Sequence, residues 1–103
     1  MQHIRLMEEA KQDLLLGKAF YDGLQQGVGD WFHDSLITDI ESLYVHAGVH
    51  ERHFGHYRML AKRFPYAIYY DTNPEYITVV AILPMRRNPA WLKQQFPSGS
   101  SPP

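Results

Sequence analysis

The sequence predicts an α+β domain: a helical hairpin packed on one face of a small antiparallel sheet, in the order β-α-α-β-β-β with a short C-terminal helix. Apolar residues recur every three to four positions through residues 7–43, the spacing of amphipathic helices. Runs rich in aromatic and β-branched residues follow between residues 57 and 83, and such residues favour strands. The short connections between these runs join neighbouring strands in antiparallel fashion.

The composition indicates one soluble domain, expected over residues 1–96. Hydrophobic residues make up 45% and charged residues 20% of the 103 positions, which is enough apolar material for one modest core. The chain has no cysteine, so neither a disulfide framework nor a thiolate metal site is predicted. Residues 97–103 contain only Pro, Ser and Gly, a composition typical of a disordered tail.

No segment of the sequence indicates a membrane partner. Glu8 and Glu9 stand where a signal peptide needs an apolar run. No stretch approaches the ~20 consecutive apolar residues of a membrane-spanning helix. We therefore expect a cytoplasmic protein, which the lack of cysteine also favours.

Charge is divided unevenly between the two halves of the chain. Residues 1–51 carry three basic and nine acidic side chains, a net charge of −6, whereas residues 52–103 carry seven basic and two acidic side chains, a net charge of +5. A positive surface on the second half would suit an anionic partner. A second explanation fits the division equally well: the helices carry acidic faces and the strands basic ends, and both simply keep the protein in solution.

The first half of the chain predicts one short strand and two helices. Residues 2–6 alternate polar residues with Ile4 and Leu6, which indicates an extended segment. The first helical stripe comprises Met7, Ala10, Leu14, Gly17, Tyr21 and Leu24. The second comprises Val28, Phe32, Leu36, Ile40 and Leu43, with Gly48 as its C-terminal stop. The glycine-containing segment "QQGVGD" between them predicts an antiparallel hairpin.

The second half predicts three consecutive strands. The segments are "HYRMLAKR" at 56–63, "YAIYYD" at 66–71 and "YITVVAIL" at 76–83, and Asn73-Pro74 marks a turn between the last two. Strict alternation would place Ile77, Val79, Ala81 and Leu83 on one face of the last strand and Thr78, Val80 and Ile82 on the other. Both faces are therefore apolar. We expect the helices to cover one face, and Trp91, Phe96 and a partner chain to cover the other.

Three segments together resemble a known family. They are "EAKQDLLLGKAFYDGL" at 9–24, "KRFPYAIYY" at 62–70 and "VVAILPMRRNP" at 79–89. In this order they are similar to the RelE/ParE superfamily of toxins from bacterial type II toxin–antitoxin modules. The resemblance implies a toxin silenced by a cognate antitoxin, a short protein, partly disordered alone, that lays a helix or strand along the toxin. It also implies no cofactor, and contact with operator DNA only through the antitoxin.

Basic residues near the last strand are the predicted site. Arg86 and Arg87 follow that strand directly, where RelE-like nucleases carry an arginine, and guanidinium groups bind phosphate through paired hydrogen bonds. With Lys62 and Arg63 they form the predicted target- or phosphate-binding set, although charges that merely block pairing at a strand end would look the same. Predicted contacts to the antitoxin are Val80, Ile82 and Trp91.

The mechanism divides the superfamily, and the sequence favours one branch. Metal-free RNA cleavage needs a base, a cation at the phosphate and an acid. Arg86 or Arg87 can supply the cation, but neither supplies the base or the acid. RelE-like nucleases often carry a further arginine at the place of Ala67, and no His, Tyr, Asp or Glu follows Arg87. The pI near 6.6 is low for a protein that docks on RNA.

We therefore favour a non-enzymatic, ParE-like inhibitor of DNA gyrase. Two alternatives stay open. One is a RelE-like endonuclease that cuts mRNA on the ribosome, with Arg86 or Arg87 as catalytic residues. The other is a non-toxic binding module or operon co-repressor derived from such a toxin.

Four histidines cluster ahead of the predicted sheet. His46, His50, His53 and His56 are spaced by four, three and three residues, and neutral imidazoles are common zinc ligands. Gly48 interrupts the helix within this run, however, so helical spacing does not bring the rings together. We expect a histidine-rich loop and no metal site.

Overall fold

Residues 2–96 are described by a computed structural model, so the predicted tail at 97–103 lies outside the described residues. No helix within 2–96 is long and apolar enough to cross a bilayer. The predicted order of strands and helices is confirmed, with two short additions, α3 and β2. The elements are β1 (His3–Leu6), α1 (Glu8–Leu24), α2 (Val28–Glu41), α3 (Leu43–His46), β2 (Arg52–His53), β3 (His56–Leu60), β4 (Tyr66–Thr72), β5 (Tyr76–Pro84) and α4 (Pro89–Gln94).

The sheet is mixed rather than purely antiparallel. Its strand order is β1-β5-β4-β3-β2. Strands β2 to β5 pair antiparallel as expected, but β1 lies parallel to β5. Three helices and three strands separate β1 from β5 along the chain, so no tight turn forces these two strands to run in opposite directions.

A two-residue hairpin turn replaces part of the predicted histidine loop. Phe54 and Gly55 connect β2 to β3, with φ of 55° and 85°. Two-residue turns with positive φ match the twist of the strands that they join. Phe54 is an unusual residue at such a position, which explains why the sequence alone did not indicate the turn.

An inserted residue in β5 switches the faces of that strand. Tyr70 pairs with Val79 and Tyr69 pairs with Ala81, so Val80 is the extra residue of a β-bulge. Val79 and Ile82 consequently belong to the core beneath the helices, whereas Ala81 belongs to the opposite core. The predicted alternation is therefore wrong beyond Val80, because one extra residue reverses the side on which every later side chain points.

Each face of the sheet has its own core. The helix-side core consists of Ala10, Leu14, Phe32, Leu36, Ile40, Leu43, Met59, Phe64, Tyr66, Ile68, Tyr70, Ile77, Val79 and Ile82. The opposite core consists of Ala67, Tyr69, Ala81, Leu83, Leu92 and Phe96. Phe96 stacks on Phe54 with ring centroids 5.2 Å apart, and α4 contributes Leu92. The chain itself thus covers much of the face for which a partner was expected.

The hairpin turn between α1 and α2 is held by a side chain of α1. Gly27 has a φ of 93°, and no side chain caps α2 at this position. Instead Asp22 Oδ1 accepts hydrogen bonds from the backbone N–H groups of Gly29 at 2.7 Å and Gly27 at 3.2 Å. A carboxylate at a helix N-terminus also interacts favourably with the positive end of the helix dipole.

Two glycines of α1 provide a matched test of the helix packing. A Cβ atom at Gly17 would lie 2.5 Å from the ring of Phe32, whereas a Cβ atom at Gly23 would meet nothing within 4 Å. We expect Gly17→Ala to lower the free energy of unfolding by about 1–3 kcal/mol, because Phe32 is fully buried and cannot yield. Gly23→Ala should raise it by about 0.5–1 kcal/mol. Urea unfolding of both variants tests this, and equal effects would contradict the close packing.

Candidate protein-binding groove

A groove of about 780 Å³ opens at the end of the sheet where β5 finishes. Its lining comes from α1, from residues 63–66 and from residues 82–95. Tyr66 at the start of β4 pairs with Pro84 at the end of β5. This pairing brings the β3–β4 connection and the segment after β5 to the same end of the sheet, which is why distant parts of the sequence share one groove.

One wall of the groove is an exposed apolar row on α1. Leu16, Phe20 and Leu24 are 69%, 58% and 67% exposed, and all three line the groove. Residues four apart lie on the same side of a helix, so the three side chains form a continuous strip, here called the apolar row. Large apolar side chains grouped on a surface indicate a binding site for another protein.

The apolar row was missed in the sequence because it lies beside the core stripe. Leu24 was assigned to that stripe, but it is exposed in the groove. A second repeat of four runs through Leu16, Phe20 and Leu24, starting two positions after the buried Leu14. This repeat is the signal that could have revealed the row. A helix that is apolar on more than one side carries more apolar surface than the core of its own domain can bury.

The rim of the groove is positively charged. Arg63, Arg86 and Arg87 are exposed and line it, here called the arginine rim. The Arg87 guanidinium lies 4.8 Å from the centre of the Trp91 ring, a cation–π distance that holds the side chain over α4. The structure thus brings together three of the four predicted basic residues.

Lys62 lies outside this lining. Its backbone N–H donates to Asp39 Oδ2 at 3.0 Å, and Asp39 is a buried residue of α2. The contact anchors the β3–β4 connection to α2. Arg63, the next residue, reaches the groove from this fixed connection.

A half-buried carboxylate lies in the same groove. Asp13 Oδ2 accepts a hydrogen bond from the Ile82 N–H at 3.0 Å, because β1 pairs with β5 only as far as Val79 and leaves α1 beside the rest of that edge. Burial raises the pKa of Asp13, the hydrogen bond from Ile82 opposes this shift, and Glu9 adds to it. Burial also raises the pKa of the nearby Tyr66 hydroxyl, with smaller effects from Tyr21 and Asp13.

The raised pKa of Asp13 predicts a defined pH dependence of stability. The folded protein binds a proton at Asp13 more tightly than the unfolded chain, whose pKa is near the ordinary 3.8. Asp13 therefore costs nothing below that pH and destabilises the fold increasingly as pH rises through the raised pKa. Asp13→Asn keeps an acceptor for Ile82, so the variant should gain stability relative to the original protein as pH rises from 3.8 through the raised pKa. Urea unfolding of both proteins measures this. A difference in free energy of unfolding that stays constant over this pH range would contradict the expectation.

The predicted antitoxin contacts lie in three different environments. Ile82 is 1% exposed in the helix-side core, because the bulge at Val80 turns it inward, but it also borders the groove, so its contact with the antitoxin stays a prediction. Val80 is partly buried and lines a smaller cavity of about 220 Å³. Trp91 is half-buried and lines the groove.

The four histidines are dispersed. His46 ends α3, and His50 approaches the Tyr70 hydroxyl. His53 and His56 face each other across the β2–β3 turn, with His53 Nε2 3.5 Å from Glu51 Oε1 and His56 Nδ1 2.8 Å from Asp71 Oδ1. Within residues 2–96, no group of three or more potential ligand side chains is placed to hold a metal ion.

Comparison with known proteins identifies the fold. The sequence matches no protein-family model and no curated protein. The fold is of the RelE/ParE type, as the sequence resemblance predicted, with helices on a small mixed sheet. A chain of the solved structure described as the chromosomal ParDE TA system from P. aeruginosa superposes with a TM-score of 0.75 over 84% of this chain and 98% of that chain, at 14% sequence identity.

Proposed function

We propose that this protein is the toxin of a type II toxin–antitoxin module and that its cognate antitoxin occupies the groove. The observation that carries the proposal is the apolar row beside the arginine rim, exposed in one groove. An amphipathic helix suits such a surface, since its apolar face can cover the row while acidic side chains pair with the rim. The fold shared with a chain of a ParDE TA system supports the same proposal.

The antitoxin is expected to be short and partly disordered alone. A chain with few apolar residues folds only when a partner supplies the missing core. The surplus of basic residues in 52–103 favours an acidic partner. Operator DNA would then be bound by the antitoxin rather than by the toxin directly.

The preferred target is DNA gyrase, bound as a protein in the ParE-like manner. A groove that is apolar on one side and cationic at its rim suits protein contact. The pI near 6.6 favours a protein target over the phosphate backbone of RNA. Ala67, at the place where related nucleases often carry an arginine, is fully buried, so no side chain there can contact a phosphate.

RelE-like cleavage of mRNA on the ribosome is the second candidate, and Asp13 favours it. Its carboxyl has a raised pKa and shares the groove with Arg86 and Arg87. A titrating carboxyl would serve as the acid or the base and an arginine as the cation at the phosphate, which fills two of the three roles that RNA cleavage needs. A non-toxic operon co-repressor, the third candidate, would keep the antitoxin groove and lack any target.

Induced expression without the antitoxin separates these candidates. Filamentation with a DNA-damage response indicates gyrase, and purified protein should then block supercoiling. Rapid loss of translation with cut messages indicates the nuclease, and normal growth leaves only the co-repressor. Asp13→Asn adds a second discrimination, since it should abolish RNA cleavage by removing the titrating group but leave gyrase inhibition unchanged.

A further inference from the structure

The Tyr70 hydroxyl lies at the joint between the helical layer and the sheet. Tyr70 belongs to β4 and is fully buried. Its hydroxyl oxygen accepts a hydrogen bond from the Gly48 N–H at 2.9 Å and contacts His50 Nδ1. Gly48, with a φ of 93°, and His50 belong to the segment that leads from α3 into β2. One buried phenol thus fastens two positions of this segment.

The position of one proton decides whether these contacts are satisfied. The Gly48 N–H can only donate, so Tyr70 must be the acceptor in that bond. The Tyr70 O–H must then donate elsewhere, because a buried donor without a partner is costly. His50 Nδ1 can accept this proton only when the imidazole is neutral and carries its own proton on Nε2.

We propose that residues 47–51 form a proton-sensitive latch, in which neutral His50 holds the segment on Tyr70 and protonation of His50 releases it. A protonated ring presents N–H groups at both nitrogens, so the Tyr70 proton loses its acceptor within the core. The segment then detaches, and the Gly48 N–H loses its partner as well. This device goes beyond the proposed function and does not depend on it.

Two features of the surroundings of His50 favour its neutral form. Burial first, and then His46 at the end of α3, lower the pKa of His50 below its ordinary value of 6.5. Glu51, the next residue, is directed to His53. From the sheet, the Tyr57 ring stacks on Tyr70 at 5.3 Å, and the Arg52 guanidinium lies 4.8 Å from the Tyr57 ring centre. The latch is therefore closed at neutral pH and opens as pH falls through the lowered pKa.

The latch controls a segment that carries apolar surface. Val45 and Val49 are 79% and 73% exposed, on either side of Gly48. Release at acidic pH would separate the end of the helical layer from β4. Val49 would then move with this segment, and Val45 lies in the adjoining α3.

The test of the latch is the rate of hydrogen exchange at the Gly48 amide, measured by NMR at a series of pH values that span the titration of His50. We expect the protection of Gly48, corrected for the intrinsic pH dependence of exchange, to fall about 10-fold or more as His50 becomes protonated. Tyr70→Phe should remove this protection at every pH. Tyr57→Phe, which removes a hydroxyl from the stacked neighbour, should behave like the original protein.

A second variant keeps the test decisive if Tyr70→Phe fails to fold. His50→Gln supplies an amide oxygen that can accept from Tyr70 and does not titrate. The exchange protection of Gly48 should then lose its pH dependence. Protection that stays constant through the His50 titration in the original protein, or a pH-dependent loss that persists in His50→Gln, would overturn the latch.

Discussion

Replacing Arg86 and Arg87 together by alanine is expected to abolish growth arrest after induced expression. Both side chains are exposed on the arginine rim, so their removal leaves the cores intact. A hydrogen bond to a charged group contributes about 1.5–3 kcal/mol, and loss of two such contacts weakens target binding by about 100-fold or more. The antitoxin, held mainly by the apolar row, should lose no more than about 10-fold, because exposed ion pairs contribute little.

Arg5→Ala/Arg52→Ala is the matched control for this experiment. It also removes two exposed arginines, which lie outside the groove over the rings of Tyr76 and Tyr57. Growth after induction is the readout, and thermal unfolding confirms that each variant folds. If the Arg86/Arg87 variant still arrests growth, these side chains are only the charged end of β5.

Placing two carboxylates in the apolar row should prevent neutralisation by the antitoxin. Leu16 and Phe20 are more than half exposed, so Leu16→Glu/Phe20→Glu should fold normally. Burial of each large apolar side chain contributes about 1.5–3 kcal/mol, so the double change should weaken antitoxin binding by about 100-fold or more. Cells that carry the variant should then stay arrested even when the antitoxin is present, unless the same surface contacts the target.

Leu15→Glu provides the control, because Leu15 is adjacent in the sequence and 53% exposed but absent from the lining of the groove. Calorimetric titration with the cognate antitoxin, which we expect the neighbouring reading frame to encode, measures the affinity directly and so does not depend on toxicity. The control should bind like the original protein. Unchanged binding by the Leu16/Phe20 variant would place the antitoxin elsewhere on the surface.

The helices and the three-strand meander could be predicted because their signals are local. Seventeen residues of α1 repeat one spacing, and β5 is rich in β-branched residues. The bulge at Val80 could not be predicted, since a single inserted residue changes neither composition nor length in a recognisable way. Its consequence was an incorrect face for Ile82, which the bulge turns into the helix-side core.

The site was predictable only in part for a similar reason. Arg86 and Arg87 stand out in the sequence because two adjacent cations end an apolar run. Asp13 does not stand out, since its partner Ile82 is 69 residues away and an acid near a helix N-terminus has an ordinary local explanation. Arg63 and the apolar row likewise join the arginines only after β4 and β5 pair.

The bond between Asp13 and Ile82 also affects how the protein behaves at high concentration. Beyond the end of β1, the edge of β5 would present backbone groups to any passing chain, and strands apolar on both faces readily join sheets edge to edge. Asp13 already occupies the N–H of Ile82, and Pro84 has no N–H to offer. This edge of the strand is therefore protected against aggregation by residues within the folded chain, whether or not a partner is bound.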